Sequence, residues 1–180
     1  MKLTLVRHTA PDVSKGVFYG KTDVDLKPTF EIEAETVKSN LKEKSFDKVF
    51  SSPRSRCLRL AKYCGFPDPA ISEDVAEMDF GNWEMMHFND ITDDSLYEYF
   101  EDWKNTIPPG GESFVQHGER VKRFINSCLE QDLDSILVFT HGGTILHAMI
   151  LLGVIDDSRP FDHTPDYGSI IELEINNFLS

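Results

Sequence analysis

The chain has 180 residues, 40% of them hydrophobic, which suits one domain with a sizeable core. Its formal net charge is −13, with 18 Lys+Arg against 31 Asp+Glu, so it lacks the basic footprint that nucleic acid requires. An acidic surface can still hold a few cations in a cleft, so an anionic small molecule is not excluded. The three cysteines, Cys57, Cys64 and Cys128, are odd in number and form no close pair. They read as small buried hydrophobes in a reduced compartment rather than as disulfides or a zinc site. No apolar run approaches the roughly 20 residues of a membrane helix. The N-terminal MKLTLVRH turns polar too early for a signal peptide. These features predict one cytoplasmic domain over residues 1–180, with no nucleic-acid or membrane partner. They say nothing about oligomeric state.

In chain order, residues 3–6 are the first apolar run that reads as a strand, and Arg7-His8-Thr9 follows at once. Residues 11–25 read as a loop. Residues 30–43 are helical, with Ile32, Ala34, Val37 and Leu41 near one face. Residues 48–50 form a second strand run, followed by Ser51-Ser52-Pro53-Arg54-Ser55-Arg56. Ser-Ser-Pro is a helix-start signal for residues 54–63. After a short loop at 67–69, the stretch 78–107 lacks strand signals. It is a candidate cap, extending to about residue 110, with a short acidic and aromatic helix at 96–103. A Gly- and Pro-rich loop at 107–113 leads into a helix at 114–129, where Phe114, Val121, Phe124, Ile125 and Leu129 fall near helical spacing. Residues 136–139 form the third strand run, followed by Thr140-His141-Gly142-Gly143. The helix at 145–152 is apolar almost all round, which predicts burial. A loop at 156–168 precedes the last strand at 170–175. The loops 11–25 and 107–113 are candidate borders of a site.

Strands alternating with helices imply an α/β domain with a largely parallel sheet. In such sheets ligands bind beyond the carboxyl ends of the strands. Three polar clusters each follow a strand run directly, so one sheet edge can gather them. Together they supply two histidines and up to three arginines. Guanidinium forks grip phosphoryl oxygens bidentately, and imidazole can attack phosphorus or donate a hydrogen bond. Gly142-Gly143 permits a sharp turn into a helix whose free N–H groups favour an anion. No GxxxxGK[ST] is present, so this is not a nucleotide P-loop. A lone histidine after a strand is more often structural than catalytic; three such clusters together are harder to read that way.

The motifs carry a family resemblance. Val6-Arg7-His8-Thr9 resembles the RHG/RHT signature of the histidine phosphatase (phosphoglycerate mutase-like) superfamily, and Ser51-Ser52-Pro53-Arg54-Ser55-Arg56 resembles its SSPxxR signature. Glu77-Met78-Asp79-Phe80-Gly81-Asn82-Trp83-Glu84, Pro109-Gly110-Gly111-Glu112-Ser113 and Val138-Phe139-Thr140-His141-Gly142-Gly143 are similar to three further segments, in the same order. The resemblance implies a three-layer α/β/α sandwich with a mostly parallel central sheet. It implies His8 as a nucleophile forming a phosphohistidine, with Arg7, Arg56 and His141 gripping the phosphoryl group and Gly142 beside it. It implies Glu77 as the general acid, which requires a proton held on its carboxyl. No cofactor and no metal are implied, because the arginines do the work of a magnesium ion. Arg7-His8-Thr9-Ala10-Pro11 and the stretch from Val17 to Leu26 (VFYGKTDVDL) further resemble α-ribazole phosphatases of the cobalamin pathway. The partner implied is a small phosphorylated metabolite, with α-ribazole 5′-phosphate the best single choice. Alternatives are a phosphoglycerate mutase, another sugar-phosphate phosphatase such as a fructose 2,6-bisphosphatase, or an idle phospho-ligand-binding module.

Other residues carry two readings each. Thr9 and Thr22 bind phosphate or cap turns; Tyr19 lines the substrate pocket or packs. Arg54 reads as a rim charge, Arg59 as a solvated helix charge and Glu84 as a second acid inferior to Glu77. Glu112 and Ser113 read as caps of the helix that follows. His87, His117, His147 and His163 match no catalytic position and read as structural or surface groups. Met85 stands where the family segment usually continues with Gly, Phe18 where Cys is usual and Leu60 where Thr is common.

Overall fold

The computed structural model describes residues 1–177. It runs β1 (Lys2–Arg7), α1 (Phe30–Leu41), β2 (Lys48–Ser51), α2 (Ser55–Tyr63), β3 (Ala70–Ile71), α3 (Ser95–Glu101), α4 (Phe114–Leu129), β4 (Ser135–Thr140), α5 (Gly142–Leu151) and β5 (Ile170–Glu174). The strands lie in the order β3-β2-β4-β1-β5, all parallel except β5. Side-chain alternation then builds three layers. Leu3 and Leu5 of β1, Phe50 of β2 and Ile136 and Val138 of β4 face α4 and α5. Val6, Leu137 and Phe139 point the other way, against α1 and α2. Both faces are therefore apolar, as a parallel sheet requires. Each such buried side chain contributes roughly 1.5–3 kcal/mol.

Local sequence explains the helix starts. Ser113 and Gln116 form a reciprocal capping box at α4. Glu112 takes no part in it, since its carboxylate is bound to Arg120. At α2 the free Ser55 N–H is met from outside by Asp23, at 2.7 Å. At α5 His141 occupies the N-cap with an extended backbone, so the helix begins at Gly142 rather than at residue 145. The two glycines thus lie inside its first turn. The unexpected β3 is only Ala70–Ile71, paired to Phe50 and Ser51, and is too short to show a period.

The register aligns the chemistry-bearing ends. Val6 pairs with Phe139 and Ser51 with the same Phe139, so Arg7, Ser52 and Thr140 all emerge at one edge. β1 and β4 are neighbours, yet α1 leaves β1 for one face and α5 leaves β4 for the other. That divergence opens a crevice between them, the usual ligand position in an open α/β sheet. A third apolar cluster lies apart from the sheet layers: Met78, Trp83, Ile91, Leu96 and Tyr99, with Phe18, Phe80 and Trp103 packed on it. Phe18 ties the 11–25 loop to the 78–107 stretch.

Met85 keeps the left-handed conformation that a glycine would adopt, with φ 65°. Two backbone hydrogen bonds hold it there, Met85 N to Phe18 O at 2.7 Å and Phe18 N to Met86 O at 3.0 Å. The side chain is half exposed, so it recovers little by packing. Met85→Gly should therefore stabilise the fold by about 0.5–1 kcal/mol, raising Tm by roughly 1–4 °C in a thermal melt.

Candidate active site

His8 follows β1 and is buried. Its Nδ1 lies 2.7 Å from the Thr9 carbonyl oxygen, which can only accept, so Nδ1 carries the proton and Nε2 keeps its lone pair. Burial, aided by the charges of Arg56 and Arg7, lowers its pKa to about 3. The ring is thus neutral with a free nucleophilic nitrogen.

The two guanidiniums beside it are held by carbonyls, not by carboxylates. Arg56 is fully buried and donates to Thr22 O at 2.9 Å and Gly20 O at 2.5 Å. Arg7 donates to Pro165 O and lies 3.9 Å above the Tyr167 ring. The Nε of each is buried without a partner among the described residues. A buried and a half-buried guanidinium whose hydrogen-bond partners among the described residues are all neutral are placed to attract an anion. Gly142 belongs to this site because a Cβ there would sit 3.2 Å from the Arg7 guanidinium carbon.

His141 comes from the other side of the crevice, its ring 5.2 Å from that of His8. Its Nε2 is 2.7 Å from Ser52 Oγ. Ser52 Oγ accepts the Arg54 N–H at 3.3 Å, and we assign its own hydrogen to Nε2. His141 then carries its proton on Nδ1, which is buried and unpartnered among the described residues. Burial, then Arg56, holds the ring well below the usual histidine pKa. His141 is therefore a neutral donor with an unused N–H.

Glu77 sits across a cavity of about 250 Å³ that Arg7, Glu77, Gly142 and Gly143 border. Its Oε2 accepts the Gly143 N–H at 3.1 Å, and its Oε1 accepts its neighbour Met78 N–H at 3.0 Å. A Cβ on Gly143 would come within 2.3 Å of Oε1, so only glycine allows this approach. Arg120 fixes the backbone behind it through the carbonyls of Ala76, at 2.7 Å, and Glu77, at 2.9 Å. The remaining cavity wall is largely aromatic, with Phe18, Phe80, Tyr99, Phe114 and Phe161.

The loop residues separate clearly. Glu84 binds the N–H groups of Gly20, Lys21, Thr22 and Phe80 and holds the loop, leaving no carboxylate face for proton transfer. Thr22 contributes its carbonyl to Arg56. Thr9 is buried with an unpartnered Oγ1, and its carbonyl sets the His8 tautomer. Tyr19 lines the cavity, its hydroxyl 2.7 Å from that of Tyr167. Arg54 pairs with the exposed Glu73 at 2.9 Å, on the rim. Arg59 lies over the Phe30 ring.

Three participants were not read from the sequence. Pro165 and Tyr167 come from the 156–168 loop, whose composition marks a loop and nothing more. His117 lies in the cavity wall and is fully buried. It falls three residues after Phe114 and four before Val121, on the buried face of α4, and that spacing was the available signal.

Residues 3–178 match the family described as histidine phosphatase superfamily (branch 1). Over 153 residues the chain is 31% identical to the adenosylcobalamin/alpha-ribazole phosphatase of Salmonella typhimurium, covering 81% of this chain and 76% of that one. Over 162 residues it is 27% identical to the 2,3-bisphosphoglycerate-dependent phosphoglycerate mutase of Cytophaga hutchinsonii, covering 83% and 76%. The crystal structure of the alpha-ribazole phosphatase from Shigella flexneri matches with a TM-score of 0.89 at 27% identity, over 99% of this chain and 93% of that one.

The site makes the fold acid-sensitive. His8 and His147 are depressed to about 3, and His117 and His141 are also held well below the usual value, all chiefly by burial. Between pH 6.5 and about 3 the unfolded chain binds protons that the folded chain refuses, so stability present above 6.5 is lost as pH falls. Each such histidine steepens that loss by up to about 1.4 kcal/mol per pH unit. Denaturant melts from pH 7.5 to 5 should show uptake of more than one proton on unfolding; a flat profile would contradict the neutral assignments.

Proposed function

The chain belongs to the histidine phosphatase superfamily, and from that premise we propose that it hydrolyses a small phosphate monoester through a phosphohistidine on His8. The observation that carries this reading is a neutral His8 with a free Nε2 set beside two carboxylate-free guanidiniums. Nε2 attacks phosphorus while Arg7, Arg56 and the free Nδ1–H of His141 take the phosphoryl oxygens. Their charge counts most in the transition state. As the ester O–P bond breaks, Glu77 protonates the departing oxygen. The resulting carboxylate then takes a proton from a water, which attacks the phosphohistidine and releases phosphate. The His8 Nδ1–H···O=C Thr9 bond holds the ring through both steps.

The cavity wall bears on the substrate. A phosphoglycerate needs a cation for its carboxylate beyond the phosphate clamp; among the described residues lining this cavity Arg7 is the one Lys or Arg, and Lys21, Arg54 and Arg120 of the adjoining cavity at Glu77 are each paired with a carboxylate. The aromatic wall suits a planar apolar group carried on the alcohol. We read residues 78–110 as the cap supplying part of that wall. This favours α-ribazole 5′-phosphate over 3-phosphoglycerate or fructose 2,6-bisphosphate.

A phosphate-release assay over these three esters tests the reading. Preference for α-ribazole 5′-phosphate is expected, with His8→Ala at least about 10³-fold slower. Isomerisation of 3-phosphoglycerate without release would make the chain a mutase. Tight ester binding without release would make it a binding module.

A further inference from the structure

His117 is a buried imidazole that the mechanism above leaves idle. Its Nε2 is 3.1 Å from Thr144 Oγ1, and that hydroxyl is 3.1 Å from the Ala76 carbonyl oxygen. The carbonyl can only accept, so Thr144 donates to it and accepts from His117 Nε2–H. His117 Nδ1 then bears a lone pair. It is buried, has no hydrogen-bond partner among the described residues and faces Glu77 Oε1 at 4.0 Å. Gly143 leaves the gap open, since a Cβ there would sit 2.3 Å from Oε1 and 3.1 Å from His117 Cε1.

An unprotonated nitrogen facing a carboxyl oxygen rewards one protonation state. A carboxylate and a lone pair repel, whereas a carboxylic acid donates. We propose that His117 is a positioning residue that accepts a hydrogen bond from protonated Glu77 and so keeps the general acid loaded. This rests on the reading of Glu77 as the acid. The 4.0 Å gap closes by a turn of the Glu77 carboxyl of about 1 Å, to the usual hydrogen-bond length. In the reaction the ester O–P electron pair goes to the departing oxygen, the Glu77 hydrogen turns from Nδ1 to that oxygen, and a carboxylate remains. The N–H groups of Gly143 and Met78 then hold that carboxylate for the water step.

The surroundings suit this role. Facing His117 are Glu77 from the loop, Arg120 of α4, and His141 and His147 at α5. Arg120 is bound to Glu112, its Nη2 at 2.6 Å from Oε1. Tyr19 and Tyr99 face Glu77 from the cavity wall. Burial first, then Arg120 and His147, keeps His117 neutral, so its lone pair stays available.

Two substitutions separate its two nitrogens. His117→Gln places an amide near the Nε2 position and loses the acceptor at Nδ1; His117→Asn does the reverse. Both are assayed on an alkyl phosphate, whose leaving group needs an acid, and on p-nitrophenyl phosphate, whose leaving group does not. His117→Gln should lower kcat on the alkyl ester about 10-fold or more and on the aryl ester under about 3-fold. The alkaline limb of its kcat/KM profile should move to lower pH. His117→Asn should recover most of the alkyl-ester rate. Equal losses on both esters, or an unmoved alkaline limb, would overturn the proposal. Glu77→Gln is the control. If it too fails to discriminate between the esters, the assignment of Glu77 as acid is what fails, and the role of His117 falls with it.

Discussion

A buried guanidinium with no carboxylate beside it is the constraint on which the rest of this structure depends. Arg56 is fully buried, and an uncompensated charge in such a place is costly. The chain offsets that cost at one remove. The carbonyls of Gly20 and Thr22 point at Arg56, while the N–H groups of residues 20–22 point at Glu84. One short loop is thus stretched between a cation and an anion, its peptide dipoles aligned by both. Glu84 balances the charge of Arg56 without touching it, and the guanidinium keeps its attraction for a bound anion. The same field helps deny His8 a proton. In the proposed mechanism anion affinity and the nucleophilicity of His8 therefore share a physical origin.

The folded loops follow from that constraint. Gly20 is packed so closely on Met78 that a Cβ would lie 1.7 Å from its carbonyl oxygen. That contact and Phe18 lock the 11–25 loop to the segment after Glu77. On the far side Arg7 draws in Pro165 and Tyr167 from the 156–168 loop. The arginines thus organise backbone as well as ligand, and replacing either would loosen the crevice as well as remove a charge.

Much of this was legible in the sequence because it is periodic or local. The apolar runs at 3–6 and 136–139 and the one-sided helices 30–43 and 114–129 define the layers, and the polar clusters directly after three strands define the edge. The motif resemblance singled out Arg56 over Arg54, and the structure puts Arg54 on the rim with Glu73. What stayed hidden is long-range. Pro165 reaches Arg7 across 158 positions through a backbone oxygen, and no side-chain pattern announces a carbonyl. Met85 is a related case: a methionine does not announce a left-handed backbone, yet two hydrogen bonds to the 11–25 loop impose the glycine-like turn.

His117 shows how a core position becomes part of a site. Its spacing on α4 is that of a packing residue, and α4 does bury it. α5 reaches the same place because His141, as N-cap, starts that helix early and brings Gly143 and Thr144 into the first turn. Thr144 then fixes which nitrogen of His117 carries the hydrogen, and Gly143 leaves space for Glu77 to face the other. The glycine pair read as an anion-binding turn instead delivers one N–H to a protein carboxylate, at 3.1 Å. In the proposed mechanism Glu77 gives up a proton and takes one back, and the buried lone pair of His117, 4.0 Å from its Oε1, is placed in the cavity wall to receive that hydrogen between the two steps.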